Sequence, residues 1–164
     1  ISAVLFIASR EVFVAMAPAL AAAGFVGAGL AFLAARRDQG APGAVKMANP
    51  MELKPAIAFA GLLALITLAS RFAVERFGAE GFYFVSAFAG LADVDAVTLS
   101  AATQANTEAL APADAGAGVA LAIAVNMALK AGMLTIIAGG RAGTLTLGAF
   151  GAMAAAGASV LFIA

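Results

Sequence analysis

The chain has 164 residues, of which 64% are hydrophobic and only 11% charged, with a mean hydropathy of +1.05. Soluble domains run about half apolar and a quarter charged, so a soluble fold of this size would leave apolar surface with nothing to cover it. Nine basic and nine acidic residues cancel, and there is no Cys or His, which excludes a basic nucleic-acid footprint, disulfides, Cys/His metal sites and His-dependent triads.

These numbers predict an all-α fold, a polytopic transmembrane bundle of about six helices. Alanine and glycine (48 and 18 residues) suit helices packed through small contacts. The chain opens inside apolar sequence without a basic leader region, so it reads as starting part-way through a helix.

The first apolar segment runs from Ile1 to about Met16 and contains Arg10 and Glu11. The second runs from Pro18 to Ala35, with Pro18 placed as a first-turn residue. The polar stretch from Arg36 to Asn49 is the longest loop. A third segment, Met51 to Phe77, would cover ~40 Å as a helix, and Gly78 ends it. The fourth runs from Gly81 to Thr103, followed by a polar loop from Gln104 to Asp114. The fifth runs from Ala115 to Ala138 and the sixth from Thr144 to the end. The expected units are residues 1–36 (the end of a first helical repeat), the loop 37–50, and a second repeat over 51–164. With six crossings, Arg36, Arg37, Lys46 and Lys54 fall on one side and Arg71, Arg76 and Arg141 on the other, a slight lean to a cytoplasmic 36–54 region.

Small residues recur at helical spacing, as in Gly116, Ala120, Ala124, Ala128 and Gly132, or Ala23, Gly27 and Ala31. Such faces let backbones approach closely. Packing within one subunit is the simpler reading; a second copy or another membrane subunit is the alternative.

Charges within apolar segments carry the functional signal, since each costs at least ~2.5–3.5 kcal/mol at the bilayer centre. Asp93 and Asp95 sit mid-way along the fourth segment, in GLADVDAVTLS. On a regular helix they would point to nearly opposite faces. Gly90 favours a break between Gly90 and Asp95, and broken helices with carboxylates at mid-depth are a device for holding cations. Asn126 and Lys130 lie one turn apart near the middle of the fifth segment, on a face that Gly118 and Ala122 continue. Lys130 is expected to pair with Asp93 or Asp95, and the competing account is that these charges only neutralise one another. Thr98 follows Asp95 by about one turn. Asn49 and Glu52, with Pro50, read as a helix start or as a secondary solute contact. Arg71, Glu75 and Arg76 read as a solvated helix end with one ion pair. Glu108 and Asp114 read as loop and cap.

NPMELKPAIAFAGLL, RFAVERFGAEGFYFVSAFAGLADVDAVTLSAA and AIAVNMALKAG together resemble the uncharacterised C-terminal membrane domain of MgtC/SapB-like bacterial proteins. The resemblance implies a multi-pass inner-membrane protein, often preceded by an MgtC-type domain linked to magnesium homeostasis and membrane energetics. Asn126 and Lys130 match that family's Asn-x-x-x-Lys, and Arg10 matches a basic position, while Glu11 departs from the pattern. The family also suggests a duplication, in which the stretch after Arg10 would mirror the stretch after Lys130.

The function expected is a cation transporter or channel-like domain, with Mg²⁺, Na⁺ or H⁺ as cargo. Its binding residues would be Asp93, Asp95, Thr98, Asn126 and Lys130, with Arg10, Asn49 and Glu52 secondary. Asp93 and Asp95 would contact the hard cation, since an oxygen-only set suits hard ions. No resident cofactor is expected and no nucleic acid; the lipid bilayer is the surrounding partner. The alternative is a non-transporting module that binds and regulates another membrane protein. An intramembrane enzyme is disfavoured, because an aspartyl dyad on one helix has poor geometry and no Ser has a base partner.

Overall fold

The structure, a computed structural model, describes residues 1–37, 53–138 and 140–163. It consists of α1 (Ser2–Ala8), α2 (Arg10–Arg37), α3 (Leu53–Ala92), α4 (Val94–Asn106), α5 (Pro112–Ala138) and α6 (Gly140–Ile163), with no strand among the described residues. Arg10–Leu33, Ala56–Ala92 and Pro112–Ile137 are long and apolar enough to cross a membrane, and Thr144–Ser159 is a shorter apolar helix. Large apolar side chains such as Phe25, Leu68, Phe84, Ile136 and Leu145 point outwards. In water that surface would aggregate, so it faces lipid. The expected all-α multi-pass bundle is the fold.

Two boundaries near the start differ from the sequence reading. Ser9 adopts extended backbone (φ −155°, ψ 108°) and separates α1 from α2. Arg10 and Glu11 therefore open α2, with Glu11 in the first turn where the helix dipole favours an anion. Pro18 does not start a helix; it lies inside α2. Its missing N–H is tolerated in membrane helices, where neighbouring groups re-satisfy the freed carbonyl.

α3 is two arms joined at Gly78, whose backbone (φ 60°, ψ −145°) lies in a region open in practice to glycine alone. The arms fold back on each other: Gly81 packs directly on the Ala73 carbonyl. Leu62, Ile66 and Ala69 on the first arm line one groove with Phe84, Val85 and Ala89 on the second.

The direction of the second arm follows from its contacts with α5. Tyr83 Oη donates to Asp114 Oδ1 at 2.7 Å. Gly118 packs against Phe82 and Ser86, and a Cβ on Gly90 would come within 2.7 Å of the Ala122 Cα. Residues 83, 86 and 90 thus descend alongside 114, 118 and 122, so the arm and α5 run parallel.

α4 must then turn back. Asn126 bonds the Gly90 carbonyl, which puts the 90–93 region ~21 Å below the start of α5 at 1.5 Å per residue. Had α4 continued downwards, its end would lie ~40 Å below Pro112. The connection over residues 107–111 reaches only about 20 Å when extended. The segment expected to cross as Gly81–Thr103 is therefore a re-entrant hairpin. One half-helix descends to mid-depth, the chain breaks at Asp93, and α4 returns to the same end. The loop expected from Gln104 to Asp114 shortens accordingly, with the turn completed by Ala109 and Leu110 N–H groups on the Gln104 carbonyl.

α1 lies along α4 in the same direction: the Ile1 amino group is 3.8 Å from Asp95 Oδ1, and Asn106 Nδ2 donates to Ala8 O at 2.7 Å. α2 descends beside α5, with Met16 against Gly116, and α6 rises antiparallel, with Met153 against Gly27 and Gly157 near Ala19. Small residues therefore work within the subunit at these positions. Gly132, at the end of the stripe on α5, has nothing within 4 Å.

The hairpin also moves one charge. Because residues 79–106 do not cross, the last residues of α5 and the first of α6 lie at the same end as the end of α2 and the start of α3. Arg141 joins Arg36, Arg37 and Lys54 at that lower end, while Arg10, Arg71 and Arg76 belong to the upper end. Lys46, in the same 36–54 region of the sequence, lies outside the described residues.

Candidate functional site: the tip of the hairpin

The expected break between Gly90 and Asp95 is present and is one residue long. Asp93 is extended (φ −156°, ψ 121°), and its N–H closes the last turn of α3 on Ala89 O at 2.9 Å. Its side chain starts the next helix: Oδ1 accepts from Asp95 N at 2.6 Å and Ala96 N at 3.1 Å. This is an N-cap, satisfying amides that otherwise have no partner in the first turn.

Breaking the helix also frees carbonyls. Gly90 O loses the donor that a continuous helix would supply, and Asn126 Nδ2 replaces it at 2.8 Å. Asn126 is buried and is the fifteenth of the 27 residues of α5, so the tip lies half-way along a span. The face of Gly118 and Ala122 expected to admit a close neighbour does so, and the neighbour is the descending arm.

The other site residues divide. Thr98 is fully buried and donates to Val94 O at 2.8 Å, a bond within its own helix. Asp95 stands in the first turn of α4 with its side chain 56% exposed. Lys130 is exposed one turn beyond Asn126, and among the described residues it forms no ion pair. The expected contact with Asp93 or Asp95 is not made: Asp93 already has two amide partners, and Lys130 projects outwards. Arg10 lies at the upper end, where it lines a shallow recess with Glu11, Val14 and Pro112. It is the first residue of its helix, whereas Lys130 is in the second half of α5. Asn49 and Glu52 lie outside the described residues. Arg71 and Glu75 form the surface pair expected, at 3.0 Å. Among the described residues, no group of three or more His, Cys, Asp or Glu comes together as a metal cage.

Sequence reasoning missed several polar groups packed above the tip. Ser86, Ser100 and Gln104 are buried, and Ser86 Oγ, Ser100 Oγ and Gln104 Nε2 have no hydrogen-bond partner. Their signal was available: Ser100 and Gln104 are four apart, on one face of a helix otherwise rich in alanine.

The geometry is a pair of half-helix ends meeting at mid-depth. α4 presents its positive N-terminal end at the tip, and the descending arm presents its last carbonyls. Such an arrangement can hold an ion with side-chain and backbone oxygens together.

The chain is similar to an uncharacterized protein of Aquifex aeolicus (strain VF5), 31% identical over 68 residues. That match spans 42% of this chain and 30% of the relative's length. No solved structure matches. Residues 1–139 match the family model described as Domain of unknown function (DUF4010), and the chain belongs to that family.

Proposed function

We propose that the chain is the membrane-embedded part of a multi-pass bacterial inner-membrane protein of the MgtC/SapB-like type. In this reading it moves a hard cation, with H⁺, Na⁺ or Mg²⁺ as cargo, and the hairpin tip is the binding point. The observation that carries the reading is Asp95: a carboxylate 56% exposed at the tip of a broken helix half-way along a span. Non-helical backbone at that depth is tolerated only where protein buries it or water reaches it. A charge facing hydrocarbon there would cost at least ~2.5–3.5 kcal/mol. In this reading water reaches Asp95.

The roles are unequal. Asp93 holds the geometry as a cap and can lend its second oxygen to an ion. Asp95 binds the cation or carries the proton. Asn126 fixes the tip against α5 and offers an amide oxygen. Lys130, exposed one turn beyond Asn126, stays outside this set, and Thr98 packs α4 rather than touching cargo.

Purified protein in proteoliposomes tests this by cation-dependent or proton flux. Asp95→Asn is expected to abolish flux while leaving insertion and the melting temperature unchanged. Flux equal to wild type in Asp95→Asn would overturn the reading. So would absence of flux for every cation in the wild type, which would favour a module that docks on another membrane protein through the exposed charges.

A further inference from the structure

Several threonine hydroxyls in this bundle bond back to the chain's own preceding turn. Thr98, Thr103, Thr107 and Thr135 each donate to the carbonyl four residues earlier, at 2.8–3.1 Å. Ser86 and Ser100 have the same option and do not take it, although both are fully buried. Gln104 Nε2 is also buried without an acceptor. Buried polar atoms are almost always satisfied by protein or by ordered water, and protein supplies no partner here.

Their placement is not scattered. Ser86 and Ser100 each lie seven residues from Asp93, on opposite limbs of the hairpin, so both sit ~10 Å above the tip. Gln104 follows one turn higher on the face of Ser100, near the end of α4. Ser86 borders Gly118 of α5: a Cβ there would stand 3.0 Å from its Oγ. On α4, Asp95 and Asn106 mark the side that meets α1. Ser100 and Gln104 lie on roughly the opposite side, towards the descending arm and α5. Tyr83 and Asp114 continue the series towards the upper end. The third orphan hydroxyl, Ser70, lies on the first arm of α3 and stands apart from this series.

We propose that Ser86, Ser100 and Gln104 line a narrow water-filled seam between the hairpin and α5, along which a proton or small cation passes between the tip and the upper end. The seam rests on the transport reading only for its purpose; its hydration stands on the orphaned polar atoms. Two serine hydroxyls and an amide, with Asp93 below and Tyr83 above, supply polar partners along a file of waters.

The chain contains no cysteine, so single cysteines report access directly. Ser100→Cys and Gln104→Cys, in the full chain in proteoliposomes, are treated with the cationic, membrane-impermeant trimethylammonium-ethyl methanethiosulfonate. Ala102→Cys, as deeply buried on the opposite side of the same helix, is the control. A dry buried thiol reacts only when the structure opens, so the seam predicts reaction roughly tenfold or more faster at Gln104 and Ser100 than at Ala102. The reagent should arrive from the side bearing residues 107–111, and Gln104 should react first. Equal, slow reaction at all three positions overturns the seam. A second measurement covers variants that fold poorly. Ser100→Ala should lower the melting temperature if the hydroxyl holds water, and a rise would show a dry hydroxyl and overturn the seam. Reaction without flux in the wild type would leave the seam standing and remove transport. Flux without reaction would do the reverse.

Discussion

Asp93 ends one helix and begins the next, and the two tasks need different parts of the residue. Its extended backbone stops the descending arm, and its carboxylate caps α4 through two amides. A cap needs an acceptor oxygen and not a charge, since Asn ranks with Asp at this position. Asp93→Asn is therefore expected to keep the melting temperature within a few degrees, while Asp93→Ala loses about 0.5–2 kcal/mol. Urea titration of the two variants in detergent micelles checks this. Equal losses in both would mean that the charge, not the cap, is what Asp93 contributes. Asn126 is the matching residue on the other side of the break. Asn126→Leu leaves Gly90 O buried without a donor and should cost about 1–3 kcal/mol in the same titration. The sequence made Asp93 and Asn126 stand out because polar groups are expensive in apolar segments. It could not divide their labour, because a capping aspartate and an ion-binding aspartate look alike until the backbone is known. Lys130 misled for a related reason: depth along a helix can be counted, but which way a long flexible side chain leaves the helix is decided by its neighbours.

At the scale of elements, the hairpin holds together by close approach to α5. Phe82 and Ser86 press on Gly118, and Gly90 presses on Ala122. Gly118→Val should push the descending arm off α5, costing about 1–3 kcal/mol as overpacking does. If the tip is the binding point, cation affinity should fall with it, because Asn126 would lose its hold on Gly90. Unchanged thermal stability in Gly118→Val would contradict this packing. The helices themselves were legible, since six apolar runs and breaks at Gly78 and near Asp93 follow from composition and glycine placement. The return of α4 was not. One extended residue can redirect a chain either way, and apolar content carries no direction. The deciding facts, Tyr83 on Asp114 and Gly90 beside Asn126, are long-range contacts. Pro18 misled because proline starts helices in water but is accepted inside them in membranes.

For the whole molecule, the re-entrant hairpin decides how many times the chain crosses. If residues 79–106 crossed, Arg141 would lie opposite the 36–54 region; as a hairpin they leave Arg141 on the same side. Among the described residues the lower end then carries Arg36, Arg37, Lys54 and Arg141 against Arg10, Arg71 and Arg76 at the upper end, and the positive-inside rule predicts a cytoplasmic lower end from that difference of one. The most direct measurement places single cysteines at Glu80 and Glu108, both exposed, at the two ends of the segment in question. Each is labelled with an impermeant maleimide in intact cells and then in inside-out vesicles. The account predicts that both positions react from the same side of the membrane, opposite to a cysteine placed at Arg36. Reaction of Glu80→Cys and Glu108→Cys from opposite sides would show that the segment crosses, and would contradict the hairpin and the site built on its tip.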